Sequence, residues 1–280
     1  MEIANSEDIK NIINKAKFNT DKGDVVIFTN GNGWYIDTLI QNLLKSIHIY
    51  DNKYKVVVFC TDKDGLERCK RLNYDFFEYV DIPELKVSTI TENKDNNTEF
   101  YKRLTFVKIV LISYILKLGI IPLYLDPDMA LKKESINDLL SYLNEPYEFI
   151  ASGCVYDAND LNRIDPRKHS FLRQINGHIL YININSNIMI AKPSEYTQEL
   201  FNVKREDVEN VVNSDILESD EDYLRPRMNE NKTRFICQQT YPPGSDAKKY
   251  INDARIIHAN CIIGLDNKIK LLKECGAWYL

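Results

Sequence analysis

The 280-residue chain lacks any apolar run near the roughly 18 residues that a membrane-crossing helix needs. Its N-terminal stretch, MEIANSEDIKNIINKAK, lacks the apolar core of a secretory signal. We therefore expect a soluble, cytoplasmic protein with no membrane segment in this chain. There is no excess of positive charge. Lys and Arg number 36 against 41 Asp and Glu, a formal net charge of −5, so the basic footprint of a nucleic-acid binder is missing. Six cysteines are scattered without a C-x-x-C pair, which argues against structural zinc and favours a reducing compartment. A Gly-rich turn at Asn30-Gly31-Asn32-Gly33 has no third glycine, so it is not the dinucleotide fingerprint. No Ser/Gly linker and no internal repeat divide the chain, and a single domain is expected over 1–280.

What is present is an acidic strand end. Gly119 to Leu131 reads GIIPLYLDPDMAL, a short apolar run that stops at Asp126-Pro127-Asp128. Bounded by Gly and Pro, the run predicts a buried strand. In extended backbone, residues i and i+2 face the same side, so Asp126 and Asp128 can converge on one point. Two hard anionic oxygens there suit Mg²⁺ or Mn²⁺, and such an ion suits a diphosphate. The plainer alternative is an Asp-Pro turn with a solvated second Asp.

Along the chain, residues 7–18 suit a short amphipathic helix. Val25–Thr29 predicts a strand, followed by the Gly-rich turn and a helix with Ile36, Leu39, Ile40, Leu43, Leu44 and Ile47 on one face. Lys55–Thr61 and Phe76–Ile82 predict further strands around a helix at Asp64–Leu72. Glu84–Thr98 reads as a loop. Phe100, Leu104, Val107, Leu111, Tyr114 and Leu118 mark the longest helix, closed by Gly119. Arg103 and Lys108 lie off that stripe, where most such residues are solvated. Ile136–Leu143 suits a helix, Tyr147–Cys154 a strand, and Tyr156–Gly177 a long polar connection. Ile179–Ile190 is β-rich around Asn185-Ser186-Asn187. Residues 194–212 contain a helix, and Glu218–Asp222 is an acidic cluster. Arg234–Thr240 and Arg255–Ile263 read as strands, and Gly264–Gly276 as a closing helix. Alternating strands and helices predict an α/β fold with a mixed, mostly parallel sheet flanked by helices, and a less regular C-terminal half.

A second constellation, RIIHANCIIGLDNK from Arg255 to Lys268, supplies His258, Gly264 and Lys268. Imidazole is acceptable to Mn²⁺ beside carboxylates. A glycine opening a helix lets backbone amides approach phosphate, and lysine adds compact positive charge. Taken singly, each is more often a core histidine, a turn glycine and a surface lysine.

In order and spacing, these residues resemble the nucleotide-diphospho-sugar transferases, GT-A-type glycosyltransferases with an Asp-x-Asp motif. The resemblance runs from about Val25 to Trp278. It takes in Thr29-Asn30, the Lys108-bearing helix, Asp126 and Asp128, Asn185-Ser186-Asn187, and then His258, Asn260, Gly264, Lys268 and Trp278. Pro127 departs from the usual aliphatic or acidic middle residue. Asp220-Glu221 stands where relatives often carry Asp-Gln.

The resemblance implies transfer of a sugar from a nucleotide-sugar donor, most often a UDP-sugar, to a hydroxyl of a glycan, protein or small-molecule acceptor. It implies Mn²⁺ (or Mg²⁺) on Asp126, Asp128 and His258, acting as a Lewis acid on the departing diphosphate. Gly264, Lys268, Lys108 and Arg103 would lie toward that diphosphate. Thr29, Asn30, Trp34, Tyr35, Thr61 and Asp62 would hold base and ribose. Asn185 and the Asp220, Glu221 and Asp222 cluster would face sugar and acceptor. Residues 24–125 would form the nucleotide-binding half, and 126–280 the metal, sugar and acceptor half. Relatives of this kind are retaining, which is the favoured course; an inverting enzyme would draw its base from the acidic cluster. A haloacid-dehalogenase-type phosphatase is disfavoured by a mid-chain motif with Ala130 two places after the second Asp. A non-catalytic nucleotide-sugar or glycan-binding protein on the same scaffold is the remaining alternative.

Overall fold

The computed structural model describes residues 1–87, 98–157, 171–175, 178–260 and 262–280. The chain opens on α1 (Ser6–Ala16), which buries Ile9, Ile12, Ile13 and Ala16 at helical spacing. β1 (Phe18–Thr20) pairs antiparallel with the start of β2 (Gly23–Gly31). β2 is buried from Val25 onward, as its continuous apolar run requires of a strand covered on both faces. The helix expected after it begins as α2 (Gly33–Tyr35), passes through a π-helical turn at Ile36–Ile40, and continues as α3 (Gln41–Tyr50). β3 (Val56–Cys60), α4 (Lys63–Arg71) and β4 (Phe77–Tyr79) follow, β4 shorter than the apolar run suggested. Of the loop expected at Glu84–Thr98, residues 88–97 lie outside the described ones.

Helix α5 (Glu99–Lys117) starts at Thr98, whose side chain accepts from the Tyr101 amide. It is buried on almost every side, and Lys102, Arg103 and Lys108 are buried with it. The solvated face expected for Arg103 and Lys108 is therefore absent. Gly119, at φ +73°, ends the helix in the left-handed conformation that glycine adopts without cost. The acidic strand is β5 (Ile121–Leu125), and beyond it come β6 (Met129–Leu131) and α6 (Ile136–Ser141).

The second half holds β7 (Phe149–Asp157), β8 (Phe171–Ile175) and β9 (His178–Ala191). The expected long connection at Tyr156–Gly177 thus contains a strand, and its residues 158–170 and 176–177 lie outside the described ones. Three short helices follow: α7 (Glu195–Leu200), α8 (Arg205–Val212) and α9 (Asp220–Leu224). β10 (Thr233–Ile236) and β11 (Ile256–His258) are shorter than their apolar runs, and α10 (Leu265–Glu274) closes the fold.

Among the described residues, nine strands form one sheet in the order β10-β7-β9-β5-β2-β3-β4, with β1 on β2 and β8 on β9. On that path β9 alone runs antiparallel to its neighbours. Alternate residues feed two apolar layers. Val26, Phe28, Phe59 and Tyr124 pack with α1 and α5. Val25, Ile27, Leu123 and Leu125 pack with α3 and α6. The chain leaves β2 for β3 on one side and returns as β5 on the other. This reversal opens a crevice at the carboxyl ends of β2 and β5, where open α/β sheets bind ligands. β6 and β11 form a separate antiparallel pair, with Met129 opposite His258. The C-terminal residues are tied back to α3, where the Asn42 side chain donates to the Ala277 carbonyl and accepts from the Tyr279 amide. No helix among the described residues is long and apolar enough to cross a membrane.

Candidate active site

A cavity of about 230 Å³ occupies the crevice between β2 and β5. Asn30, Gly31, Asn32 and Tyr35 line it from the Gly-rich turn, and Asp126, Pro127 and Asp128 from the end of β5. Tyr101, Thr105 and Lys108 line it from α5, and His258, Asn260, Gly264 and Lys268 from the C-terminal segment.

Strand pairing brings the acidic end and the histidine together. The Asp126 amide donates to the Asn187 carbonyl on β9 at 2.9 Å, and the Ala259 amide to the Asp128 carbonyl at 3.0 Å. Carboxylate oxygens of Asp126 and Asp128 and a ring nitrogen of His258 lie within 4.8 Å of one another. His258 Nε2 is 3.0 Å from Asp128 Oδ1 and 3.4 Å from Asp126 Oδ2. Lys268 Nζ forms an ion pair with Asp128 Oδ2 and donates to the Ala259 carbonyl at 3.2 Å. Two hard carboxylates and one imidazole converging in this way suit a divalent cation of the Mg²⁺ or Mn²⁺ kind.

The charges here are mutually compensated. Burial pushes the Asp128 carboxyl up, but Lys268 and His258 outweigh it and hold Asp128 well below the usual carboxylate range. Asp126 is lowered in the same sense, with Lys108 and His258 overcoming burial. Burial works against a charge on His258, yet Asp128 and Asp126 raise its pKa. Tyr124 donates its hydroxyl to Asp126 Oδ1 at 2.5 Å from the same face of β5.

Behind this group sits a second buried cluster. Lys108 Nζ donates to Ser186 Oγ at 2.8 Å and lies 3.4 Å from Asp220 Oδ2 and 3.7 Å from Asp126 Oδ1. Burial raises Asp220 above the ordinary carboxylate range despite Lys108. Glu221 accepts from the Ser186 amide at 3.1 Å, and burial and the charge of Asp220 push it up to about 7.

Where the nucleotide was expected, the ends of β2 and β3 carry unpaired polar atoms. Thr29 Oγ1, Asn30 Oδ1, Asn32 Oδ1 and Thr61 Oγ1 are buried without a hydrogen-bond partner. Buried polar atoms are rarely left unpaired, and of these four residues Asn30 and Asn32 line the cavity. Gly264 lines the cavity at φ +89° immediately before α10, a conformation in which only glycine is at ease.

Three expected site residues are occupied elsewhere, and a fourth stands away from the cavity. Asp62 accepts from the Gly65 amide at 2.7 Å and the Gly33 amide at 3.1 Å, so it caps α4 and pins the Gly-rich turn rather than reaching a ribose. Arg103 pairs with Glu99 and Glu209 at 2.8 and 2.9 Å, joining α5 to α8. Asp222 closes a capping box at α9 and pairs with Arg225 at 2.7 Å. Trp34 is 48 % exposed and does not line the cavity. Asn185 stands at the β9 bulge, its carbonyl accepting from the Ser152 hydroxyl at 2.5 Å. Sequence reasoning missed Tyr101, although Tyr101, Leu104, Thr105 and Lys108 follow the i, i+3, i+4, i+7 spacing of one helix face.

Sequence comparison with curated proteins finds no match. Solved structures share the fold. The galactosyltransferase LgtC, bound to donor and acceptor sugar analogues, aligns with TM-score 0.58 at 12 % identity, over 91 % of this chain and 97 % of LgtC. The bifunctional glycosyltransferase WbbM aligns with TM-score 0.52 at 11 % identity; 90 % of this chain is covered, but it spans only 50 % of WbbM. The glycosyltransferase GlyE of Streptococcus pneumoniae TIGR4 gives TM-score 0.51 at 13 % identity, over 87 % of this chain and 55 % of GlyE. Identities this low carry the GT-A-type fold and nothing finer. The sequence model of the nucleotide-diphospho-sugar transferases, by contrast, matches residues 53–272, most of the chain and all of the metal-ligand candidates. On that match the chain belongs to the nucleotide-diphospho-sugar transferase family.

Proposed function

We propose that the protein is a metal-dependent glycosyltransferase that moves a sugar from a UDP-sugar to an acceptor hydroxyl, with retention at the anomeric carbon. The observation that carries this reading is the convergence of Asp126, Asp128 and His258 beside Lys268 in the β2–β5 crevice. Mn²⁺ or Mg²⁺ held by those three residues would supply Lewis-acid charge to the leaving diphosphate. Lys268 and the amides after Gly264 would add fixed positive charge where negative charge develops. Asn30 and Asn32, which line the cavity, would pair with the base and ribose through their unsatisfied atoms. Tyr35 would form the wall beside them. Lys108 would hold Asp126 and Asp220 in place from below.

Retention is supported by how the acidic cluster is used. Asp222 is committed to a cap, and Asp220 is buried against Lys108. A retaining course leaves the acceptor proton to the departing phosphate and needs no separate base. Glu221, raised to about 7, is the group an inverting course would use. The anomeric configuration of the product, read by NMR, separates the two.

The first test is thermal unfolding with UDP and other nucleotides, with Mn²⁺ or chelator. A nucleotide at 100 times its dissociation constant adds about 2.7 kcal/mol, a shift of several degrees for a domain this size. A UDP shift that needs metal and disappears in Asp126→Ala supports the reading. No shift with any nucleotide refutes it. A shift without sugar transfer or donor hydrolysis would leave a binding protein on this scaffold.

A further inference from the structure

The imidazole of His258 is buried between two partners. Nε2 faces Asp126 and Asp128, while Nδ1 meets Nδ2 of the Asn187 side-chain amide on β9. A neutral imidazole has one N–H, so the group at Nδ1 decides whether Nε2 presents a proton or a lone pair. Only the lone pair can bind a cation.

Counting hydrogens around Asn187 settles which end of its amide faces the ring. The other end, Oδ1, meets the hydroxyl of Ser152. That hydroxyl accepts from the Ile188 amide at 3.3 Å and stands 2.5 Å from the Asn185 carbonyl oxygen, an obligate acceptor. Its single proton goes to that carbonyl, and none is left for an amide oxygen. An amide NH₂ facing Ser152 completes the network. With the amide turned end for end from that placement, Nδ2 would donate to Ser152 Oγ, Ser152 would donate to the Asn185 carbonyl, and Oδ1 would face His258. An amide can turn end for end without moving its neighbours, so hydrogen-bond balance assigns its orientation. Oδ1 only accepts. In that orientation Nδ1 carries a proton, and Nε2 is the nitrogen left to bind a cation beside the two carboxylates.

The backbone builds this contact deliberately. Register along β7 and β9 steps from Ala151 opposite Met189 to Ser152 opposite Asn185, so residues 186–188 form a bulge. Bulges re-aim side chains beside functional sites. Both Ser152 and Asn187 are buried, at 4 % and 3 % exposure, where an unmatched amide would be costly.

We propose that Asn187, oriented by Ser152, is the positioning residue that fixes His258 in the Nδ1–H tautomer required of a metal ligand. The proposal rests on the metal reading of Asp126, Asp128 and His258 given above. It is tested by Mn²⁺ binding to the purified protein without nucleotide, followed by the electron paramagnetic resonance signal of free Mn²⁺. Asn187→Leu removes the acceptor at nearly constant volume and should weaken Mn²⁺ about 10–100-fold, as loss of a ligand's hydrogen-bond partner does. Asn187→Asp keeps an acceptor and should bind within about threefold of the parent or tighter. In a His258→Ala background, Asn187→Leu should have no further effect, because the residue acts through the ring. A folded Asn187→Leu that binds Mn²⁺ like the parent overturns the proposal. So does an equal loss in the His258→Ala background, which would mark a merely structural role. Should Asn187→Leu not fold, Ser152→Ala frees the amide to turn: binding at least about threefold weaker supports the proposal, and parent-like binding overturns it. A parent that binds no Mn²⁺ is a different result, and it removes the metal reading itself.

Discussion

Glu221→Gln should stabilise the protein in one pH range only. Glu221 Oε1 accepts from the Ser186 amide at 3.1 Å, and glutamine keeps that acceptor at almost the same size. The change removes the ionisation and little else. Burial and the charge of Asp220 raise the carboxyl from 4.5 to about 7 in the folded protein. Between those values the folded state binds more protons than the unfolded chain, so stability falls as pH rises through the window. The cost is absent below about 4.5 and complete above about 7. At 1.36 kcal/mol per unit the ceiling is about 3 kcal/mol. The side chain is half-buried, and solvent screening lowers this to about 1–3 kcal/mol. In Tm that is roughly 3–8 °C for a domain this large. Thermal unfolding of parent and variant in chelator, from pH 4.5 to 8.5, reads the difference directly. The variant should match the parent at the acid end and exceed it at the alkaline end. An equal gap at every pH would refute the reasoning.

Three further outcomes follow from the geometry. Asp128→Ala should lower sugar-transfer turnover on the order of 10²–10³-fold, as loss of a charge-stabilising group does; turnover at the parent rate with metal present would remove Asp128 from the site. Gly244→Ala would place a methyl 2.2 Å from the Asn260 carbonyl oxygen, where backbone cannot yield. It should cost about 1–3 kcal/mol and weaken nucleotide binding through Asn260, and a Tm unchanged from the parent's would contradict this. Asp62→Ala takes away the α4 cap and the partner of the Gly33 amide. A loss of about 2–4 kcal/mol in denaturant unfolding is expected, against almost none if Asp62 served only a ribose.

Much of the frame was legible because local pattern and burial agree. The apolar runs at Val25 and Val56 are buried on both faces, and their continuity says so. Asp126 and Asp128 converge as expected, but through a turn at Pro127 and Asp128 between β5 and β6 rather than through extended backbone. Helix α5 was legible as a helix but not in its surroundings. Its stripe implied one buried side, whereas the sheet, α8 and the cavity cover the others, so Arg103 and Lys108 are inside. The role of Asp62 was hidden because a capping carboxylate and a ligand-binding one look alike in sequence; only the approach of Gly33 and Gly65 separates them. Asp222 was obscured in the same way by the capping box at Ser219. The partnership of Asn187 with His258 depends on a strand bulge and on contacts between residues far apart in the chain, and no local pattern encodes either.

The return of the chain's end to its beginning also orders events in time. Asp128 meets its histidine 130 residues later and its lysine 140 residues later. Asn42 waits 235 residues for Ala277. On a ribosome, the sheet core through β5 can assemble while the carboxylates at its tip still have no cation from the C-terminal segment. The crevice becomes electrically balanced only when α10 has emerged and docked. Charge balance in the crevice thus waits on contacts made far along the chain, and long-range closure of this kind is intrinsically slow.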